Sequence, residues 1–364
     1  MLRSIVTIVL QQIRQSNNTD IIEHGGPWME RVHTGVIRSL HECDITIASR
    51  PKMPWPDQVM MVEPEFFDVE YVINPHMESM IGCVDKNQAW LEWSGVKAQF
   101  EEWGLYVHPL KGMEGLPDLV FCANQSFPLW EEEAAGASFL MGAMRSPMRR
   151  SEVPYLHQVL AHKGYPVHSI FPVNQHNEED QKTISQQTVN AANKMVETDK
   201  TPLFFEGMGD VQWHPERSLI WAGHGFRTSM PALQALAAFT RVPVISLHLQ
   251  DKRLYHLDTC FCMLDEQTVM IYPRAFDQVG LELIHHFFDV VLEIDERETL
   301  ESFTCNATAM AGRRVLLPSG SPKTARLLES NGFTVAELPT YEFLKSGGSI
   351  YCMKMLFWSQ DAFL

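Results

Sequence analysis

Val269-Met270-Ile271-Tyr272 and Val290-Val291-Leu292-Glu293-Ile294 flank a stretch from Phe276 to Phe288 that reads as a helix. Short apolar, β-branched segments on either side of a helix make a strand–helix–strand unit, the repeating piece of α/β and α+β architectures. The same alternation continues outward. Helices are expected over Ser151–Lys163, with Ser151 as cap and Gly164 as stop, over Ser229–Phe239, and over Ser321–Asn331 with Gly332 behind it. Strands are expected at Leu219-Ile220-Trp221, Val242–Leu247 and Val315–Leu317, and further upstream at Val59–Val62 and Val69–Ile73. Asp85 through Trp103 carries Trp90, Trp93, Val96, Phe100 and Trp103 at helical spacing. Such an aromatic stripe reads as core packing rather than a cofactor cage. Counted together, five helix-plus-strand units over about 300 residues suggest an internal repeat.

The chain has 364 residues, 45% hydrophobic and 20% charged, which is ordinary for a globular protein. Its formal net charge of −16 disfavours a nucleic-acid partner while leaving room for a small cationic substrate. Seven cysteines, an odd number scattered along the chain, do not form a disulfide framework. A reducing, cytoplasmic setting is expected. The apolar run Ser4–Leu10 is followed at once by Gln11, Gln12 and Arg14, so it reads as a strand or short helix rather than a leader. No run approaches the ~20 apolar residues of a membrane span, and no membrane partner is expected. Residues 1–56, ending in Pro51-Lys52-Met53-Pro54-Trp55-Pro56, read as an N-terminal extension and linker, and 57–364 as the main domain. Within it, the polar stretch at about 174–201 reads as a surface insertion. Oligomeric state is open, a homo-oligomer included.

Four clusters set reactive or polar groups beside glycine in apolar surroundings. Pro117-Asp118-Leu119-Val120-Phe121-Cys122-Ala123-Asn124 reads as an apolar strand ending on the amide of Asn124. Phe204-Phe205-Glu206-Gly207-Met208-Gly209-Asp210 separates two carboxylates by glycines that allow a tight turn. Glu206, after two phenylalanines, needs a cation or a donor if buried. Gly223-His224-Gly225-Phe226-Arg227 precedes Tyr255-His256-Leu257-Asp258, where a strand would put His256 and Asp258 on one face for acid–base work. Lys345-Ser346-Gly347-Gly348-Ser349-Ile350-Tyr351-Cys352 leads glycines into what reads as a strand carrying one thiol. Each cluster alone is more often a turn or packing. Together they supply a thiol, a His–Asp pair, further carboxylates for a planar cation, and an arginine for a carboxylate.

In this order along the chain, the clusters resemble those of the guanidine-modifying pentein superfamily, which includes arginine deiminases, dimethylarginine dimethylaminohydrolases, amidinotransferases and arginine dihydrolases. Phe66-Phe67-Asp68-Val69, Ile73-Asn74-Pro75, Arg145-Ser146-Pro147-Met148-Arg149 and Ser346-Gly347-Gly348 add to the match, which runs from about Met60 to the C-terminus. The resemblance implies an α/β fold, a five-bladed propeller with pseudo-fivefold symmetry, and a hydrolase acting on arginine or a derivative. It further implies Cys352 as nucleophile, His256 as general acid–base, and Asn124 in the catalytic set. Glu206, Asp210 and Asp258 would bind the guanidinium side of the substrate, and Arg227 and Arg145 its carboxylate. The implied intermediate is a covalent thiouronium, and no metal or organic cofactor is implied. Asn124, an amide where deiminase-like members carry a carboxylate, places the chain nearest the arginine dihydrolase branch. Deiminase-type hydrolysis to citrulline, amidino transfer and a non-catalytic binding role are the alternatives. A zinc site built on Cys260 and Cys262 with His256 and Asp258 is a further one, at odds with the usual two-residue spacing of paired ligands.

Overall fold

Two antiparallel strands, then a helix, then a strand parallel to the second: this unit recurs through the chain. The computed structural model describes residues 35–131, 136–171 and 203–359, all within one compact unit, His33–Leu364. Strand β1 (Val36–Ile37) is followed by β2 (Gln58–Val62), helix α1 (Lys86–Glu102) and β3 (Tyr106–Leu110). Next come β4 (Ser126–Glu131), β5 (Gly136–Met141), α2 (Glu152–His162) and β6 (Val167–His168). A short helix, α3 (Gly207–Asp210), leads into β7 (Val211–Trp213), β8 (Ile220–His224), α4 (Met230–Thr240) and β9 (Val244–His248). Then follow β10 (Phe261–Met263), β11 (Thr268–Ile271), α5 (Gln278–Phe287) and β12 (Val290–Glu293). Helix α6 (Glu296–Ser302) precedes β13 (Thr308–Met310), β14 (Arg314–Pro318), α7 (Pro322–Ser330) and β15 (Thr334–Leu338). Helix α8 (Tyr341–Leu344) and β16 (Met355–Phe357) complete the set.

These strands form five separate mixed sheets, ordered β16-β2-β3, β4-β5-β6, β1-β9-β8-β7, β10-β11-β12 and β13-β14-β15. In four of them the first pair is antiparallel and the helix crosses over to a parallel third strand; the four-stranded sheet follows the same plan read from β7, with β1 added in parallel at the outer edge of β9. The β16-β2 pair, Met355 opposite Met60, joins the end of the described chain to its early part. The crossover helices α1, α2, α4, α5 and α7 lay apolar faces against the sheets. In α1, Trp93, Val96 and Phe100 are buried, as the aromatic stripe predicts. The Asp85 carboxylate caps this helix by accepting from the Asn87 and Gln88 amides, and Gly104, at φ +91°, turns the chain away at its far end.

Several local expectations change. Val69–Ile73 is not a strand: the Val69 amide bonds the Asp68 side chain and its carbonyl takes the Gly82 amide. The segment ending on Asn124 is a 3-10 turn, Pro117–Val120, and not a strand. His256 stands at the head of another 3-10 turn, Leu257–Thr259, and Cys352 sits in a turn just before β16. Residues 35–56 are not wholly extension and linker either. Val36–Ile37 pairs in parallel with β9, and Lys52 bridges to Arg217. The Ser4–Leu10 run and the polar stretch 174–201 lie outside the described residues.

Candidate active site

Turns rather than strands deliver the reactive groups, because a turn between two sheets can leave a side chain unpacked on one side. Cys352, His256, Asn124 and Arg227 line one narrow cavity of about 10 Å³, together with Asp118, Arg149, Tyr255 and Ser346. Behind its wall stand Glu206, Asp210 and Asp258, each no more than 1% exposed. Ile73, Asn74, Arg227 and Tyr255 also border a wider vestibule of about 440 Å³, where Arg145 and Lys252 add cationic groups.

The Cys352 thiol donates to Asp258 Oδ2 at 3.2 Å and accepts from Asn306 Nδ2 at 3.2 Å. Burial pushes the thiol well above its ordinary pKa, and the Asp258 carboxylate adds to the effect. Burial likewise raises Asp258 to about 6. Asp258 Oδ1 is buried with no hydrogen-bond partner. The resting pair is therefore short of positive charge, and a cation arriving beside it would favour both ionised forms.

Glu206 serves the imidazole. His256 Nε2 lies 2.7 Å from Glu206 Oε2, which also takes Arg227 at 3.2 Å, while Glu206 Oε1 accepts the Arg145 amide at 3.0 Å. Burial alone would raise this carboxyl, but Arg227 and His256 outweigh it and hold it well below the usual range. Both oxygens are thus committed within the protein. Asp210 is committed as well: it accepts the Thr228 and Leu257 amides at 3.0 and 3.1 Å. It thereby ties the segment of Arg227 to the segment of His256. Arg227 also stacks over the Tyr255 ring, 4.6 Å from its centroid, and donates to the Ile73 carbonyl. Arg145 reaches the Phe226 carbonyl at 2.6 Å.

Asn124 is oriented from behind. Arg149, buried and paired with Glu152 at 2.8 Å, donates to Asn124 Oδ1 at 2.9 Å. A guanidinium only donates, so the oxygen must face Arg149, and the amide nitrogen is left without a partner at the cavity. Gly207 and Gly209 make this approach feasible. A Cβ at Gly207 would fall 2.8 Å from the carbonyls of Ala123 and Asn124, and one at Gly209 would overlap the Asn124 amide.

Three members of the site escaped the sequence reading. Asn306 bonds the Cys352 thiol, the Cys352 and Ser349 amides and the Asp258 carbonyl, yet nothing in Thr304-Cys305-Asn306-Ala307 marks it. Asp118, inside a quoted cluster, accepts from Ser346 Oγ at 2.7 Å and leaves Oδ2 buried and unpartnered. Tyr255 donates to the Gly347 carbonyl at 2.6 Å and so pins the glycine loop beside the cavity. The zinc alternative finds no geometry. Cys260 turns to the His256 and Leu257 carbonyls and Cys262 to that of Ala307, and among the described residues no three ligating side chains converge.

A family model described as N,N dimethylarginine dimethylhydrolase, eukaryotic, matches residues 81–357. The chain belongs to this family of the pentein superfamily. An N(G),N(G)-dimethylarginine dimethylaminohydrolase of Mycobacterium tuberculosis is 31% identical over 80% of this chain and 83% of its own length. The bifunctional arginine dihydrolase/ornithine cyclodeaminase AgrE of a Nostoc species is 31% identical over 81% of this chain. ArgZ of a Synechocystis species, of the same description, is 29% identical over 82%. The match spans 37% of the length of AgrE and of ArgZ. A solved structure of the N-terminal domain of ArgZ, bound to substrate, has TM-score 0.70 and 28% identity, covering 83% of this chain and 98% of that one. The mixed α/β fold of this chain matches it, on the arginine dihydrolase side of the superfamily. Among the described residues, no helix is long and apolar enough to cross a membrane.

Proposed function

We propose that this family member hydrolyses the guanidinium group of arginine or a close derivative through a covalent bond to Cys352, and removes both terminal nitrogens as ammonia. In this reading the five sheets stand as blades around an axis, with the cavity at its hub. The substrate carboxylate sits in the vestibule against Arg227 and Arg145, and the guanidinium enters the narrow cavity. There Asp258 Oδ1 and Asp118 Oδ2, both buried and unpartnered, accept from its nitrogens. The incoming positive charge lowers the Cys352 pKa at the moment of binding, so the thiolate forms when there is something to attack. The thiol proton passes to His256, sulfur adds to the guanidinium carbon, the imidazolium gives that proton to the departing ammonia, and Glu206 stabilises the imidazolium in between. Water, deprotonated by His256, then opens the thiouronium.

The observation that carries the dihydrolase reading is the unpartnered amide nitrogen of Asn124. A guanidinium offers only donors and cannot satisfy another donor. The first hydrolysis replaces one nitrogen by oxygen, and that ureido oxygen is an acceptor for Asn124 Nδ2. The product of the first round is thus held for a second attack, which releases the remaining nitrogen and leaves an amine with carbon dioxide. Incubation with arginine, followed by mass spectrometry, is expected to show ornithine and two ammonia per arginine consumed. Citrulline as the sole end product would reject the second round while preserving the first. The relationship to dimethylarginine dimethylaminohydrolases favours a second reading, in which methylated arginine yields citrulline and an amine. Parallel incubations with arginine and dimethylarginine separate the two, and in both the Cys352→Ser variant should lose turnover.

A further inference from the structure

Lys354 lies two residues beyond Cys352 and lines a different cavity. Its side chain is 0% exposed, and its ammonium nitrogen has no hydrogen-bond partner among the described residues. The nitrogen stands 3.2 Å from the centroid of the Tyr351 ring. Thr308, 1% exposed, has a hydroxyl that is also buried without a partner. Both residues line a cavity of about 90 Å³ that shares no lining residue with the narrow cavity of Cys352. The rings of Trp55, Trp213 and Trp358 help to wall it. Trp213 and Trp358 already donate their indole N–H groups to the carbonyls of Pro128 and Pro54, so they offer apolar surface only.

A buried ammonium with no anion hydrogen-bonded to it is costly, and one aromatic face returns only part of that cost. The remaining requirement is a single negative charge able to accept from an ammonium and a hydroxyl while its body rests on aromatic rings. We infer that this cavity is a second ligand site, one that takes a small organic monocarboxylate with a short apolar tail. Its carboxylate pairs with Lys354 and Thr308, and its tail packs on the tryptophans. A phosphate or other dianion would find one cation and one hydroxyl, too few donors for its charge. A neutral ligand would leave the ammonium as it is.

The ligand also sets a proton. Burial lowers Lys354 to about 7, opposed by Asp258, Cys262, Cys122 and Cys352. Of these, burial holds Cys122 and Cys262 near 12 and pushes Cys352 well above its ordinary value, so all three stay neutral from pH 7 to 9. Asp258, at about 6, is ionised through that range, and Tyr351 is pushed well above its ordinary value. Among the cavity's other groups, His214 is occupied by the Glu266 carbonyl and the Trp221 indole, and Glu216 sits exposed at the rim. Lys354 is therefore the group that changes charge in this window, and a carboxylate binds its protonated form.

Propionate is the probe, titrated into the full chain by calorimetry and tryptophan fluorescence, with propionamide as the uncharged control. Saturable propionate binding with Kd on the order of 1 mM at pH 7 is expected, weakening up to about tenfold per pH unit toward pH 9. Lys354→Met should weaken it at least about tenfold, and Thr308→Val several-fold; the second variant decides the matter if the first does not fold. Propionate that binds equally well to these variants would be sitting in the arginine-lined vestibule, and the inference would fall. Equal binding of propionamide, or no saturation by about 100 mM, overturns it too. Turnover of arginine is a separate readout, so loss of the carboxylate site and loss of the proposed hydrolysis are distinguishable.

Discussion

Cys352, the proposed nucleophile, is kept quiet by its burial. With burial and Asp258 both raising its pKa, the thiolate fraction at neutral pH lies below that of a free cysteine. Its alkylation by iodoacetamide in the unliganded protein should therefore keep climbing as pH rises past about 9, without a plateau near 7. A plateau near neutrality would mean a resting thiolate and remove the need for substrate charge. Asn306 governs the geometry of the same sulfur. Its side-chain oxygen accepts the Cys352 and Ser349 amides, and its nitrogen donates to the sulfur. In Asn306→Ala the turn loses those bonds while the vestibule arginines stay in place. Steady-state kinetics should show kcat reduced about 100-fold, with KM changed far less. A KM effect of the same size would assign Asn306 to substrate binding instead of positioning.

At the scale of the element, the site depends on α3, a single turn held against the segment of Asn124. Gly207 has φ +48°, and any side chain there would press on the Ala123 and Asn124 carbonyls. Gly207→Ala combines backbone strain with a steric clash, so urea denaturation should show a loss of about 2–4 kcal/mol. An unchanged midpoint would show that the two segments can part at little cost. The pair of carboxylates around these glycines was legible in sequence, and so was the placing of Cys352 and His256 beside one cavity, because glycine beside a reactive residue is a local signal. The positions of α1, α2, α4, α5 and α7 were legible too, from apolar spacing and caps. The β4–β5 pair was not: β5 is buried along its whole length and Pro128 interrupts β4, so neither shows the alternation of a half-exposed strand. Asn306 was missed for a different reason. Its importance comes from contacts with residues more than 40 positions away, and no local pattern records such a contact.

For the molecule as a whole, the core around Cys352 concentrates charges that folding must desolvate, and stability should record their titration. Lys354 has a pKa of 10.5 when solvated and about 7 when folded. The folded chain thus binds fewer protons than the unfolded one between those values, and stability rises with pH across that window. The contribution is neutral above 10.5, declines as pH falls, and reaches its full penalty below about 7. Asp258 runs the other way, raised from 3.8 to about 6: its penalty is absent below 3.8 and complete above 6, so it is constant from pH 7 upward. Lys354→Met removes the lysine term and leaves Asp258 facing one fewer cation. Thermal and urea unfolding should accordingly find the variant more stable than the parent at pH 7. That advantage should shrink toward pH 9 by up to about 1.4 kcal/mol per pH unit. An advantage independent of pH would mean that Lys354 keeps its proton throughout and that its cavity holds a counter-charge already. The same curves, repeated with saturating propionate, connect this prediction to the second site. A bound carboxylate keeps Lys354 charged, so it should stabilise the parent most at pH 7 and leave Lys354→Met unmoved.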